Sequence, residues 1–191
     1  RSVTRSFAEY TAVFLEARAN PVGSRRYLMS RDWSSFTRQI TVKYPAHAIY
    51  EAWAVPSQIT RWLPRSAEYV GYDGTPKGRD REVEAGDSYL WRWHGHLDDI
   101  NDAGLIIEAN GHERFAFSFT QNCLVTVTIR DEYGETVVEL TQSNIPDDPK
   151  RVTYIDCLSG WTFYLANLKS VLEGGIDLRN KNADIRNVLN S

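Results

Sequence analysis

The chain has 191 residues, long enough for one domain with a real core, burying roughly two-thirds of the surface that its unfolded form exposes. Its 22 basic and 25 acidic side chains leave a formal net charge of -3, so no global field draws it to a nucleic-acid backbone or an anionic bilayer. Two cysteines, Cys123 and Cys157, lie far apart without a CxxC pair and read as small hydrophobes of a cytoplasmic protein, which argues against a disulfide or a zinc site.

No stretch approaches the roughly 18 to 20 consecutive apolar residues of a membrane span. The chain opens on Arg1 rather than on methionine, so residues upstream are expected; a removed tag, a disordered start and a cleaved signal would look alike. Residues 1–32 form the first section. Phe7, Tyr10, Phe14 and Ala17 repeat at three and four residues and predict an amphipathic helix from Thr4 to Ala19, ended by Asn20-Pro21-Val22-Gly23. A basic, polar connector follows from Ser24 to Ser35.

At Phe36 the period changes to two. Phe36, Ile40, Val42 and Tyr44 share one face with Arg38 among them, which predicts a half-buried strand. Pro45 opens a short helix over Ala46 to Ala54, Pro56 breaks it, and a second short helix carries Ile59, Trp62 and Leu63. Strands are then predicted over Glu68 to Tyr72, Asp87 to His94, Gly104 to Ala109, Arg114 to Phe119, Cys123 to Arg130 and Glu135 to Gln142. Tyr89, Trp91 and Trp93 alternate along one of them, and Phe115, Phe117 and Phe119 along another. Tyr133-Gly134 reads as a hairpin turn.

The strongest helical signal comes last. Leu158, Trp161, Leu165, Leu168 and Leu172 repeat at three and four residues, Cys157, Tyr164 and Val171 widen the stripe, and Gly174-Gly175 supplies the stop. The tail over 176–191 is polar and is expected to lie on the surface.

Connections this short cannot cross over between parallel strands, so the sheet is expected to be antiparallel. The C-terminal helix is the one element long and apolar enough to cover its aromatic face. The predicted fold is therefore α+β over residues 33–175: a curved antiparallel sheet of about six or seven strands gripping a long C-terminal helix, with two short helices after the first strand.

These elements in this order carry a resemblance. Pro45-Ala46 with Trp53, the Arg61-Trp62-Leu63 step, the run Arg114 to Phe119, Asn144-Ile145-Pro146 after Leu140-Thr141-Gln142, and Gly160-Trp161 resemble the activator of Hsp90 ATPase homologue family, within the START, polyketide cyclase and Bet v 1-like superfamily. The resemblance spans about Trp33 to Gly174. It implies a helix-grip fold with a hydrophobic cavity and does not imply one activity.

Tyr89, Trp91, Trp93, Phe117 and Phe119 would form one wall of such a cavity, and Trp161, Tyr164, Leu165 and Leu168 the other. Aromatic walls suit a flat or greasy ligand, although the same rings would serve equally as a closed core. Arg38, a cation on an apolar strand face, needs a carboxylate or a ligand anion. His94-Gly95-His96 places two imidazoles on one strand without an evident third ligand, so no metal is expected. The chain lacks a GxSxG elbow, and no Cys-His spacing points to a nucleophile. Tyr89, Tyr164, Gln142 and Arg38 are the groups that could move a proton, but such groups are usually satisfied structurally.

The first expectation is binding of a small hydrophobic or aromatic molecule without a cofactor. The alternatives are a co-chaperone-like module with a chaperone or other protein partner, in which a homodimer is open to it, and a cyclase-type enzyme on an aromatic or polyketide-like substrate.

Overall fold

The computed structural model describes residues 32–186 and 188–190. The helix expected over Thr4 to Ala19 and most of the connector lie outside the described residues. Seven strands form one sheet: β1 (Phe36–Val42), β2 (Ser66–Val70), β3 (Ser88–Arg92), β4 (Asn101–Ala109), β5 (Arg114–Phe119), β6 (Cys123–Glu132) and β7 (Glu135–Ser143). Their order is β1-β7-β6-β5-β4-β3-β2, and every neighbouring pair is antiparallel. Between β1 and β2 lie α1 (Ala46–Ala54) and α2 (Pro56–Ile59), and the chain returns through the 21-residue α3 (Val152–Leu172).

Local chemistry accounts for these bounds. Proline stands before α1 and at the first position of α2, where its missing N–H costs no helical hydrogen bond. The β6–β7 hairpin turns on Tyr133 and Gly134, both at positive φ, 52° and 83°, as a two-residue turn matched to strand twist requires. A register shift between Ile106 and Glu108 bulges β4 against β5, which locally increases twist and bends the sheet.

The concave face carries the core. Tyr89 and Trp91 of β3, Phe115 and Phe117 of β5, Val125 and Val127 of β6, and Val138 and Leu140 of β7 are buried there. From α1 and the turn after α2 come Trp53 and Trp62, packed edge to face at 4.5 Å. From α3, Trp161, Leu165, Leu168 and Leu172 complete the layer. Trp91 meets Phe117 at 5.2 Å, and Trp161 meets Phe119 at the same centroid distance.

Most of the chain after Gly175 is exposed, as expected for a polar tail, but Arg179 is not. It is 6 % exposed and donates to the carbonyl oxygens of Thr60, Arg61, Leu63 and Pro64 at 2.7–3.2 Å. Those carbonyls follow α2, where the helix leaves acceptors without partners. Asp177 pairs with the same guanidinium. Asn167 of α3, fully buried, donates to Trp62 O at 2.7 Å and to Asp177 Oδ1 at 3.1 Å, and accepts from Leu178 N–H at 2.7 Å. The tail is thus tied to α2 and α3 by a satisfied polar network.

Candidate functional site

A cleft of about 680 Å³ opens between the concave face and the N-terminal half of α3. Trp93, just beyond β3, and Phe119, at the end of β5, supply the sheet wall; Cys157, Gly160, Trp161 and Tyr164 supply the helix wall. Ile100, Val188 and Leu189 stand at the rim. The aromatic rings are linked across the cleft, with Trp93 against Tyr164 at 5.6 Å and Phe119 against Trp161 at 5.2 Å.

Gly160 leaves the helix wall bare. A Cβ built on it meets no atom within 4 Å, although it stands in the middle of a long helix, where glycine costs about 1 kcal/mol relative to alanine. The open volume lies where the missing side chain would project.

Two carboxyls line this space, the exposed Asp156 of α3 and the half-buried Asp102 of β4. Asp102 lies opposite Trp91 in the β3–β4 register and shares its strand face with Gly104 and Ile106. Its Oδ2 accepts a hydrogen bond from Trp93 Nε1 at 2.8 Å. Burial raises its pKa, and the Trp93 hydrogen bond only partly opposes that effect. Cys157 is pushed up to about 11, chiefly by burial, so its thiol stays protonated at neutral pH. Tyr164 is raised by burial to about 12.

The expected wall residues divide between two environments. Trp93, Phe119, Trp161 and Tyr164 border the cleft. Tyr89, Trp91, Phe117, Leu165 and Leu168 are buried in the layer beneath it, each no more than 3 % exposed. Tyr89 donates its hydroxyl to Ser118 O at 2.7 Å, and Trp91 Nε1 donates to Tyr69 Oη at 3.0 Å. Arg38 lies away from the cleft, donating to Thr162 Oγ1 at 3.3 Å and to Thr37 O at 3.0 Å. Gln142 is fully buried and accepts from Trp161 Nε1 at 2.7 Å. His96 reaches the rim and His94 does not; among the described residues no group of three or more His, Cys, Asp or Glu side chains could hold a metal ion. No helix among those residues is long and apolar enough to cross a membrane.

The model of the family described as activator of Hsp90 ATPase homolog 1-like protein matches residues 43–173. The chain belongs to this family. No curated protein matches the sequence. Among solved structures, protein SSP2350 from Staphylococcus saprophyticus is similar at a TM-score of 0.59 and 20% identity, covering 76% of this chain and 96% of its own. The Aha1 dimer from Colwellia psychrerythraea gives 0.59 at 16% identity, with 74% and 97% covered. DynU16, a protein of the dynemicin biosynthetic locus, gives 0.53 at 17% identity, with 73% of this chain and 47% of that one covered. These likenesses establish the shared fold.

The family match takes in both walls of the cleft but stops before Arg179, Val188 and Leu189. Sequence reasoning missed Asp102 because Asp98-Asp99-Ile100-Asn101-Asp102 has the composition of a loop. Counting back in twos from the apolar Ile106 through Gly104 reaches Asp102, and that is the signal that would have found it.

Proposed function

We propose that the protein binds a small hydrophobic or aromatic molecule in the cleft between the sheet and α3. The observation that carries this reading is the bare helix wall at Gly160, beside Trp161, facing Trp93 and Phe119 across about 680 Å³, a volume usual for a small-molecule site. Aromatic walls offer large contact area at low entropic cost, and Asp102 and Tyr164 add a few polar groups that can fix orientation.

The test uses N-phenyl-naphthylamine, a neutral fluorescent probe, with Gly160→Leu as the plug. Leucine raises helix propensity while filling the cleft, so probe binding should fall at least about tenfold with no loss of thermal stability. Undiminished binding in both Gly160→Leu and Trp161→Ala would sink the reading.

A cyclase-type enzyme acting on an aromatic or polyketide-like substrate is the second reading. It draws on Asp102, a carboxyl that keeps its proton more readily than usual and so could act as an acid in an apolar site. The similarity to DynU16, a protein of a biosynthetic locus, accords with it. Absence of turnover across a panel of polyketide-like substrates would count against it. A co-chaperone-like role rests on family membership alone, and an unchanged Hsp90 ATPase rate on addition of the protein would end it.

A further inference from the structure

We propose that the occupant of the cleft is an organic cation, an ammonium group on a hydrophobic skeleton, seated with its charge at Asp102; this rests on the reading of the cleft as a ligand site. The charge balance of the lining is the starting point. Among the described residues Asp102 and Asp156 border the cleft and neither Lys nor Arg does, so the one lining group of that set able to carry positive charge is His96, at the rim.

Asp102 is placed to receive such a charge. It stands on the concave face, in register with the fully buried Trp91, where a carboxylate is costly unless something compensates it. Among the described residues no cation pairs with it, and Trp93 Nε1 is the one hydrogen-bond donor it receives. A carboxylate can accept about four hydrogen bonds, which leaves most of its capacity for an ammonium.

The rings complete the fit. Trp93, Trp161 and Tyr164 line the same space, and the electron-rich faces of such rings attract a cation, most strongly where water is excluded. An anionic ligand would instead meet two carboxylates. A neutral ligand of the same shape would gain the apolar contact and leave Asp102 uncompensated. The raised pKa of Asp102 agrees with a site that lacks a positive charge until its ligand brings one.

The test displaces N-phenyl-naphthylamine with three compounds that share one skeleton: phenylbutylamine, phenylbutanol and phenylbutanoate. At neutral pH the amine should displace the probe at a concentration about tenfold below that of the alcohol, with the carboxylate weakest. Asp102→Asn, which can still accept from Trp93, should erase the advantage of the amine over the alcohol. Equal or tighter binding of the alcohol or the carboxylate in the unaltered protein overturns the cation assignment and leaves the cleft reading standing. Binding of none of the four compounds overturns both.

Discussion

Arg179 holds Asp177 through paired contacts, Nε to Oδ1 at 2.9 Å and Nη2 to Oδ2 at 2.6 Å, while the same guanidinium serves four carbonyls after α2. This bidentate geometry, with the arginine side chain 2 % and the aspartate side chain 18 % exposed, makes the pair a structural tie between the tail and the domain. Arg179→Ala removes the bidentate partner of Asp177, which keeps Asn167 and Lys181, and leaves the backbone acceptors without that donor. The expected loss is about 3–5 kcal/mol in chemical denaturation. Arg179→Lys should recover only part of it, because an ammonium cannot reproduce the planar fork.

The same pair sets a pH dependence. Burial works to raise the pKa of Asp177, but hydrogen bonds from Arg179 and Lys181 outweigh it and hold the carboxyl well below the usual carboxylate range. A pKa lowered on folding stabilises the folded state above the unfolded value and ceases to do so as pH falls toward the folded one. Asp102 has the opposite sign: its pKa is raised, so its ionisation disfavours folding as pH climbs from the unfolded value of 3.8 through the folded one. Asp177→Asn should therefore destabilise at neutral pH, and Asp102→Asn should stabilise there. Both differences should shrink in strong acid, as read by denaturant midpoints across the pH range.

Gly104 is required by close approach rather than by backbone freedom. A Cβ at this position would come within 2.5 Å of Ser118 O and 2.8 Å of the Tyr89 ring, whose hydroxyl bonds that same carbonyl. Gly104→Ala should cost about 1–3 kcal/mol, the range of overpacked core sites. Gly104→Ala in a Tyr89→Leu background should cost less, because the smaller side chain relieves one of the clashes. Equal costs in both backgrounds would place the strain at Ser118 alone.

What was legible in the sequence depended on how local its cause was. Prolines bracket α1, so its bounds could be read from Pro45 and Pro56, and strict alternation marked β5 from Arg114 to Phe119. Alternation also placed Tyr89, Trp91 and Trp93 on one face. It could not say that Trp93 borders the cleft while Trp91 is sealed beneath it, because that depends on sheet curvature and on where α3 begins to cover the sheet. Arg179 reaches carbonyls more than 100 residues earlier, a contact with no local signature. Asn167 did leave a trace: it interrupts the series Trp161, Tyr164, Val171 on the apolar side of α3, where a polar residue calls for partners.

Trp161 Nε1 and Gln142 Oε1 form a buried hydrogen bond of 2.7 Å, while Gln142 Nε2 has no hydrogen-bond partner among the described residues. Trp161→Phe would strip the glutamine of its one bond and leave the whole amide buried, costing about 1–3 kcal/mol beyond the lost ring contacts. Gln142→Met orphans the indole N–H but also removes an amide nitrogen that was already unpaired, so its cost should be the smaller of the two. When both are replaced, no polar group of this pair remains to be satisfied. The double variant should therefore lose less stability than the two single losses added together, by about 1 kcal/mol or more in a double-mutant cycle. Strict additivity would mean that the hydrogen bond contributes nothing net and that Trp161 holds its place through apolar packing, including the rings of Trp53, Phe117 and Phe119, which it meets at 6.2, 6.1 and 5.2 Å.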